Sequence, residues 1–390
     1  MSRKRIAVLG FMGNCPIAGV IWQHVHYIVG LQRLGHEVYY LEDTSRYPYD
    51  PVRQTPTDDY TYAAEILARL ATEFGFAERW AFSPRYKSSA ETAGLSRGRI
   101  NEIYRTADAL LNICGSHELN EDLLLSENLI YVESDPAVEQ IKVDQANADT
   151  LQFLERHRAR FTFGELIGTP EFPVPLHGLS WQPTRQPVVT DFWCTAGPPR
   201  EAARFSSIAN LATGGKKDVL WRGEKYLWSK LPEFEKYCAA PREAGEDFEL
   251  ATTFPDAAQG ARFAGHGWKI VSPDEISVDY LKYLEYVRGS RGEFTVAKDQ
   301  YARLNTGWFS DRSACYLAAG RPVITQETGF TRLYGGQAGL LAFETMGEVV
   351  DAVAAIRADY AAHSAAAFEI AREYFEAETV LRSLLDRAGV

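Results

Sequence analysis

Between Ser290 and Thr325 the chain concentrates cations, hydroxyls and a helix start. Ser290-Arg291-Gly292-Glu293-Phe294 is followed by Lys298. Gly307-Trp308-Phe309-Ser310-Asp311-Arg312-Ser313 then leads into the small-residue run Ala314-Cys315-Tyr316-Leu317-Ala318-Ala319-Gly320. Ser310 or Asp311 can cap a helix beginning there. The unbonded amides of its first turn, the Ser313 hydroxyl and the Arg312 guanidinium would converge on an anion, and a diphosphate fits that set. Lys298 would add charge without a fixed fork of donors. The plainer alternative is a capped helix with surface Arg and Lys.

Three further groups lie in the first half. Gly10-Phe-Met-Gly13-Asn14-Cys-Pro-Ile-Ala-Gly19 follows a strand-like run and precedes a helical pattern, so its backbone could approach a ligand or simply make a tight turn. Its glycines stand three and then six residues apart, which is not dinucleotide spacing and argues against a nicotinamide enzyme. On the next helix His24 and His26 are two apart and project from different faces, a poor metal pair. His24 could face a cleft as a general base or be a buried structural histidine. Asn112-Ile-Cys-Gly-Ser-His117-Glu118 and Glu133-Ser-Asp135-Pro136 both close strand-like runs. His117 could deprotonate an acceptor or lie in a solvated loop. Asp135 could cap the helix that Pro136 opens, or serve as an acceptor-side carboxylate.

The elements that must position these groups alternate. Ile6–Leu9, Glu37–Leu41, Ala109–Ile113 and Leu129–Glu133 read as buried parallel strands. Helical patterns cover 20–34, 58–76, 98–107 and 136–157. Gly168–Pro187 holds Pro170, Pro173, Pro175, Pro183 and Pro187, an extended linker. The pattern then restarts, with strands near 191–193, 248–252, 268–271, 293–297, 322–326 and 339–343, and helices over 223–237, 274–287 and 311–319. The alanine-rich tail, 346–388, has helical spacing. This predicts an α/β protein of two Rossmann-like halves with a ligand cleft at the carboxyl ends of their strands.

The 390 residues carry 41 Lys and Arg against 52 Asp and Glu, a net charge of −11, so nucleic acid is not expected as a partner. No apolar run reaches the ~20 residues of a membrane span, and no signal-peptide pattern opens the chain. A cytoplasmic protein is expected. The five cysteines are scattered without CxxC spacing, which predicts neither a disulfide framework nor a zinc knuckle.

The segment Tyr316-Leu-Ala-Ala-Gly320-Arg-Pro-Val-Ile324 resembles the donor-site segment of GT-B glycosyltransferases. The opening, with its glycine-bearing first loop and Gly30-Leu31…Leu34-Gly35-His36-Glu37-Val38, is similar to theirs. The resemblance implies an acceptor domain over 1–180, a donor domain over 188–360, and a terminal helix over 361–390 crossing back to the first. It implies transfer of a sugar from a nucleotide-diphosphate donor, such as a UDP-sugar, to a hydroxyl of a small-molecule or glycan acceptor, with no cofactor and no metal. Arg312, Ser313, Lys298, Glu293, Asp311, Glu327 and Thr328 are then the candidate donor contacts. Gly13, Asn14 and Trp22 are the candidate acceptor contacts, and His117, Asp135 and His24 the candidate bases. One departure stands out. Where many retaining members carry two glutamates eight residues apart, this chain has Gly307 and Cys315. The carboxylate for the donor ribose would have to come from elsewhere, Glu293 or Glu327 being candidates, and inversion and retention both stay open. An epimerase of the same build and a non-catalytic binder with a degenerate donor site are the rival readings.

Overall fold

The computed structural model describes residues 2–87, 91–195, 197, 199, 202–213, 218–336 and 338–390. Its apolar runs assemble into two parallel sheets. The first has the order Gln182–Pro183, Ala159–Thr162, Leu129–Glu133, Ala109–Ile113, Arg5–Leu9, Glu37–Thr44, Trp80–Pro84 and Ala93–Gly94, with only the last pairing antiparallel. Ile6 to Leu9 are wholly buried between flanking strands and helices, which is why this central strand is an unbroken apolar run. The second sheet has the order Trp268–Val271, Phe248–Ala251, Phe205–Ile208, Gly292–Thr295, Val323–Gln326 and Leu340–Phe343, parallel throughout. The chain is thus an α/β protein of two Rossmann-like domains. Among the described residues no helix is long and apolar enough to cross a membrane.

Several elements differ from the sequence expectation. The first strand of the second sheet is Phe205–Ile208, not 191–193, where Thr190–Trp193 makes one helical turn. The strand was hidden because its middle is Ser206-Ser207. Both serines are buried and bonded inside, Ser206 Oγ to Tyr316 Oη at 2.7 Å and Ser207 Oγ to the Phe294 carbonyl. Internal partners let a polar pair stand where periodicity demands apolar residues. The stretch 223–237 is not one helix. Val219–Trp221 and Glu224–Tyr226 form an antiparallel hairpin, and Leu231–Lys236 is helical. Arg222 and Gly223 take φ of 50° and 82°, the left-handed pair that a two-residue hairpin turn requires. Trp80–Pro84, Ala159–Thr162 and the helix Ala257–Gly265 had no counterpart in the sequence reading.

The tail forms three helices, Met346–Ala358, Tyr360–Tyr374 and Ala377–Ala388. The last packs on Ala18–Arg33 of the first domain. The end of the proline-rich linker is stitched to it, Val188 N–H donating to the Phe375 carbonyl at 2.7 Å and Ala377 N–H to the Val188 carbonyl at 2.9 Å. Gly30 sets the helix spacing, since a Cβ there would come within 2.6 Å of Leu381 Cδ1 and 2.9 Å of Ala377 Cβ. Gly30→Val should therefore push the terminal helix off and lower unfolding free energy by about 1–3 kcal/mol. Urea denaturation checks this, and an unchanged midpoint would mean that the contact is not tight.

Candidate functional site

The loops at the carboxyl edges of the two sheets face each other across two neighbouring cavities. One, of about 580 Å³, lies between Cys15, Ile17, Tyr49 and Pro51 of the first domain and Ile208, Asn210, Thr253, Asp274, Tyr283 and Arg312 of the second. The other, of about 370 Å³, is lined by Phe11, Gln23, Arg46, Cys114, Ser134, Asp135, Trp308 and Asp311. The helix Asp311–Ala318 begins between them. Consecutive residues at its start, Asp311 and Arg312, each form a wall of one cavity.

Arg312 is already bonded. Its Nε donates to Glu293 Oε1 at 2.6 Å, Nη1 to the Ile208 carbonyl at 2.5 Å and Nη2 to Thr295 Oγ1 at 3.0 Å. Three of the five guanidinium N–H bonds are spent on the sheet, and two remain for a ligand. Glu293 is fully buried, so it serves Arg312 and does not reach the cleft. That corrects its placing as a candidate ribose carboxylate. Ser313 is also fully buried, and its hydroxyl has no partner among the described residues. The Asp311 carboxylate accepts the Arg312 backbone N–H, and burial raises its pKa.

Two lysines complete the cationic wall. Lys298 reaches across the cleft, its Nζ 2.6 Å from Asp135 Oδ1 and 3.2 Å from the centroid of the Trp228 ring. Tyr301 also donates to Asp135. Lys230 lies within electrostatic reach of Arg312, Glu293, Lys298 and Asp311, and burial pushes its ammonium down to about 7. Sequence reasoning missed Lys230 because it fell inside a stretch read as one helix. It also missed Trp308, whose indole N–H donates to the Ser134 carbonyl at 2.9 Å and joins the domains.

The loop Gln326–Phe330 is closed on itself. Glu327 Oε1 accepts the Thr328 and Gly329 amides at 2.9 and 2.5 Å, and Thr328 Oγ1 donates to the Trp308 carbonyl at 2.5 Å. Both candidates therefore hold the loop in shape.

In the first domain most candidates turn inward. The Gly13 and Asn14 amides donate to Glu42 Oε1 and Oε2 at 2.5 and 2.8 Å. The glycine loop thus wraps a carboxylate of its own sheet, whose pKa burial raises to about 7 against these bonds and one from Tyr40. Those amides are spent, which corrects the reading of Gly13 and Asn14 as acceptor contacts. Trp22 is 4% exposed. Its indole donates to the Tyr280 carbonyl at 2.8 Å, and Trp193, Phe74 and Phe192 surround its ring, so it belongs to the interdomain core. His117 is wholly buried, with Nε2 accepting the Asp43 amide at 2.9 Å and Nδ1 3.0 Å from Ser116 Oγ. His24 is wholly buried too, with Nδ1 2.8 Å from the Val20 carbonyl. Burial lowers both to about 4. Neither histidine reaches the cleft, which corrects their reading as bases. Of the three candidate bases only Asp135 lies on a cavity wall, with its side chain 40% exposed.

Removing one partner of a buried ion pair strands the other. Glu293→Gln should cost about 3–5 kcal/mol in unfolding free energy, read by urea denaturation. A cost under about 1 kcal/mol, the scale of an exposed pair, would show that the Arg312 contact is not truly desolvated.

No protein-family model matches the chain, and no curated protein matches it in sequence. Solved structures do match over nearly its whole length. AviGT4, a glycosyltransferase of avilamycin A biosynthesis, is 11% identical with a TM-score of 0.55 over 99% of this chain and 97% of its own. The sucrose-phosphate synthase of Thermosynechococcus elongatus is 12% identical at 0.54, covering 99% and 98%. HepE of Anabaena, solved with UDP and glucose, is 10% identical at 0.54, covering 99% and 100%. Two facing Rossmann-like domains, a cleft between their carboxyl edges and a terminal helix that returns to the first domain give this chain the GT-B fold of those glycosyltransferases.

Proposed function

We propose that the protein is a glycosyltransferase that moves a sugar from a nucleoside-diphosphate donor to an acceptor hydroxyl. The observation that carries this reading is the helix start at Asp311. There Arg312 lines a larger, mainly apolar cavity, while Lys230, over the Trp308 ring, and Lys298, on Asp135, adjoin the walls of a smaller, mixed one. The larger cavity suits a nucleoside. The helix N-terminus and the cations suit the diphosphate, and the smaller cavity suits the sugar and the acceptor. HepE was solved with UDP and glucose, and a UDP-sugar is accordingly the first donor to try.

The chemistry follows from the charges. Cleavage of the sugar–phosphate bond leaves a nucleoside diphosphate bearing one more negative charge. Arg312, Lys230 and Lys298 stabilise that charge as it forms. In an inverting transfer Asp135 takes the proton from the acceptor hydroxyl while that oxygen bonds to the anomeric carbon. All the parts in this scheme are side chains of the chain itself, so the transfer is proposed to be metal-independent.

The first test is a thermal-shift panel of UDP, GDP, ADP, CDP and dTDP. Lys230→Met is the control, because replacing Arg312 would also strand Glu293. Binding to the folded state raises the melting temperature by mass action, so a selective rise that Lys230→Met reduces is expected. No rise with any of the five would sink the donor-site reading. Product analysis then separates the rivals, since transfer consumes two substrates, epimerisation one, and a binder none.

Lys230 also sets a pH dependence. With its free-state pKa near 7, it is charged in both free and bound protein at lower pH, and affinity is flat there. A bound diphosphate raises that pKa, so above about 7 binding must take up a proton. Affinity should then fall by up to about ten-fold per pH unit until the bound-state pKa is reached. Calorimetric titration of the binding diphosphate from pH 6 to 9 should show this slope in wild type and lose it in Lys230→Met. An equal slope in both would remove Lys230 from the site.

A further inference from the structure

Without a ligand, two cations of this cleft, Arg312 and Lys298, are paired with the protein's own carboxylates. Arg312 is held by Glu293, which is fully buried. Its other bonds, to the Ile208 carbonyl and Thr295, fix it to the sheet. That pair cannot open without exposing a buried charge. Lys298 is held by Asp135 at 2.6 Å, but this pair differs in two ways. It spans the two domains, and Asp135 has its side chain 40% exposed, so water can take over the carboxylate when the lysine leaves. An arriving diphosphate brings charge that needs an uncompensated cation, and Lys298 is the one whose partner is replaceable.

We propose that Asp135 and the donor diphosphate compete for Lys298. Donor binding draws Lys298 off Asp135, and the carboxylate so released becomes available to the acceptor hydroxyl. Addition is then ordered, donor before acceptor, and the base is held quiet until a donor is in place. The inference rests on the reading of Lys298 as a diphosphate ligand. Tyr301, which also donates to Asp135, keeps the carboxylate in place after the exchange.

The competition fixes a sign that a structural role would not produce. If Lys298 must leave Asp135 to bind the diphosphate, removing the carboxylate should tighten diphosphate binding. Calorimetry with UDP, GDP, ADP, CDP and dTDP on the full chain tests this at fixed pH and salt. For the diphosphate that binds wild type, Asp135→Asn is expected to tighten binding about five-fold or more, the lower end of ordinary coupling between sites. Lys298→Met is expected to weaken it by at least as much. In a Lys298→Met background the Asp135→Asn gain should vanish, because the two effects share one contact. Asp135→Ala gives the same sign without a new amide and serves if the asparagine variant folds poorly. Equal or weaker binding by a folded Asp135 variant, with wild type still binding, would overturn the competition and leave the donor site standing. Failure of wild type to bind any of the five would overturn both.

Discussion

The ion pair between Arg312 and Glu293 is the constraint on which the cleft depends. Glu293 sits on the strand Gly292–Thr295 and is fully buried. An isolated carboxylate there would be prohibitively costly, so it requires a cation. The cation comes from the second residue of the helix Asp311–Ala318, and the same guanidinium reaches the Ile208 carbonyl on the neighbouring strand. One side chain thereby locks two strand ends and a helix N-terminus together. It fixes the start of that helix on the sheet, beside the cavity that Arg312 lines. The cavity wall at Arg312 is thus a structural joint in its own right.

That wall is of use only if the first domain stands at a fixed distance from it. Three contacts hold the distance. The aromatic cluster around Trp22 brings Trp193 and Tyr280 from after the linker onto the first helix. The segment around Trp308 joins the opposite side, pairing Leu166 N–H with the Thr306 carbonyl at 3.0 Å and the Trp308 indole with Ser134. The terminal helix binds the back, over Gly30. The hairpin Val219–Tyr226 adds a clasp at the edge, its Trp221 indole donating to Asp144 Oδ2 at 2.8 Å. Beside these joints the Lys298–Asp135 pair is a polar bridge at the cleft itself, with its carboxylate partly exposed.

The architecture was legible wherever burial imposed a simple pattern. Ile6–Leu9, Ala109–Ile113 and Leu129–Glu133 are buried on both faces, so their apolar runs identified them. Phe205–Ile208 was not legible, because Ser206 and Ser207 satisfy their hydroxyls inside the core, and a sequence does not display a partner 84 or 110 residues away. The same limit governed the site. Residue type and position after a strand raised His117 and His24 as bases and Gly13 and Asn14 as contacts. What decided the roles of His117, Gly13 and Asn14 was long-range bonding to the Asp43 amide and to Glu42, and for His24 it was complete burial on its helix. Asp135, Lys298 and Arg312 stood out as charged residues near strand ends and a helix start, and the structure brings all three to the region between the two sheets. That two of them neutralise each other across domains had no local signature.

The absent glutamates of the family pattern have a steric explanation. Gly307 has φ of 70°, a left-handed conformation strained for any side chain. A Cβ there would meet Leu166 Cγ at 2.8 Å and Leu166 N at 2.9 Å. Leu166 belongs to the first domain, so the close crossing of backbones that joins the domains occupies the space a glutamate would need. Cys315 is 5% exposed, with Sγ 3.8 Å from His26 Nε2 in the packed interface, and a carboxylate there would be buried against an aromatic core. The two nearby substitutes are also committed, Glu293 to Arg312 and Glu327 to its own loop. Gly307 and Cys315 thus both belong to the packed joint between the domains. Asp135 and Asp311, at the helix start, line the smaller cavity, and Asp274 lines the larger. Burial raises the pKa of Asp311 while the Lys298 ammonium engages Asp135, so the two carboxylates of the smaller cavity stand in opposite surroundings, one desolvated and one cationic.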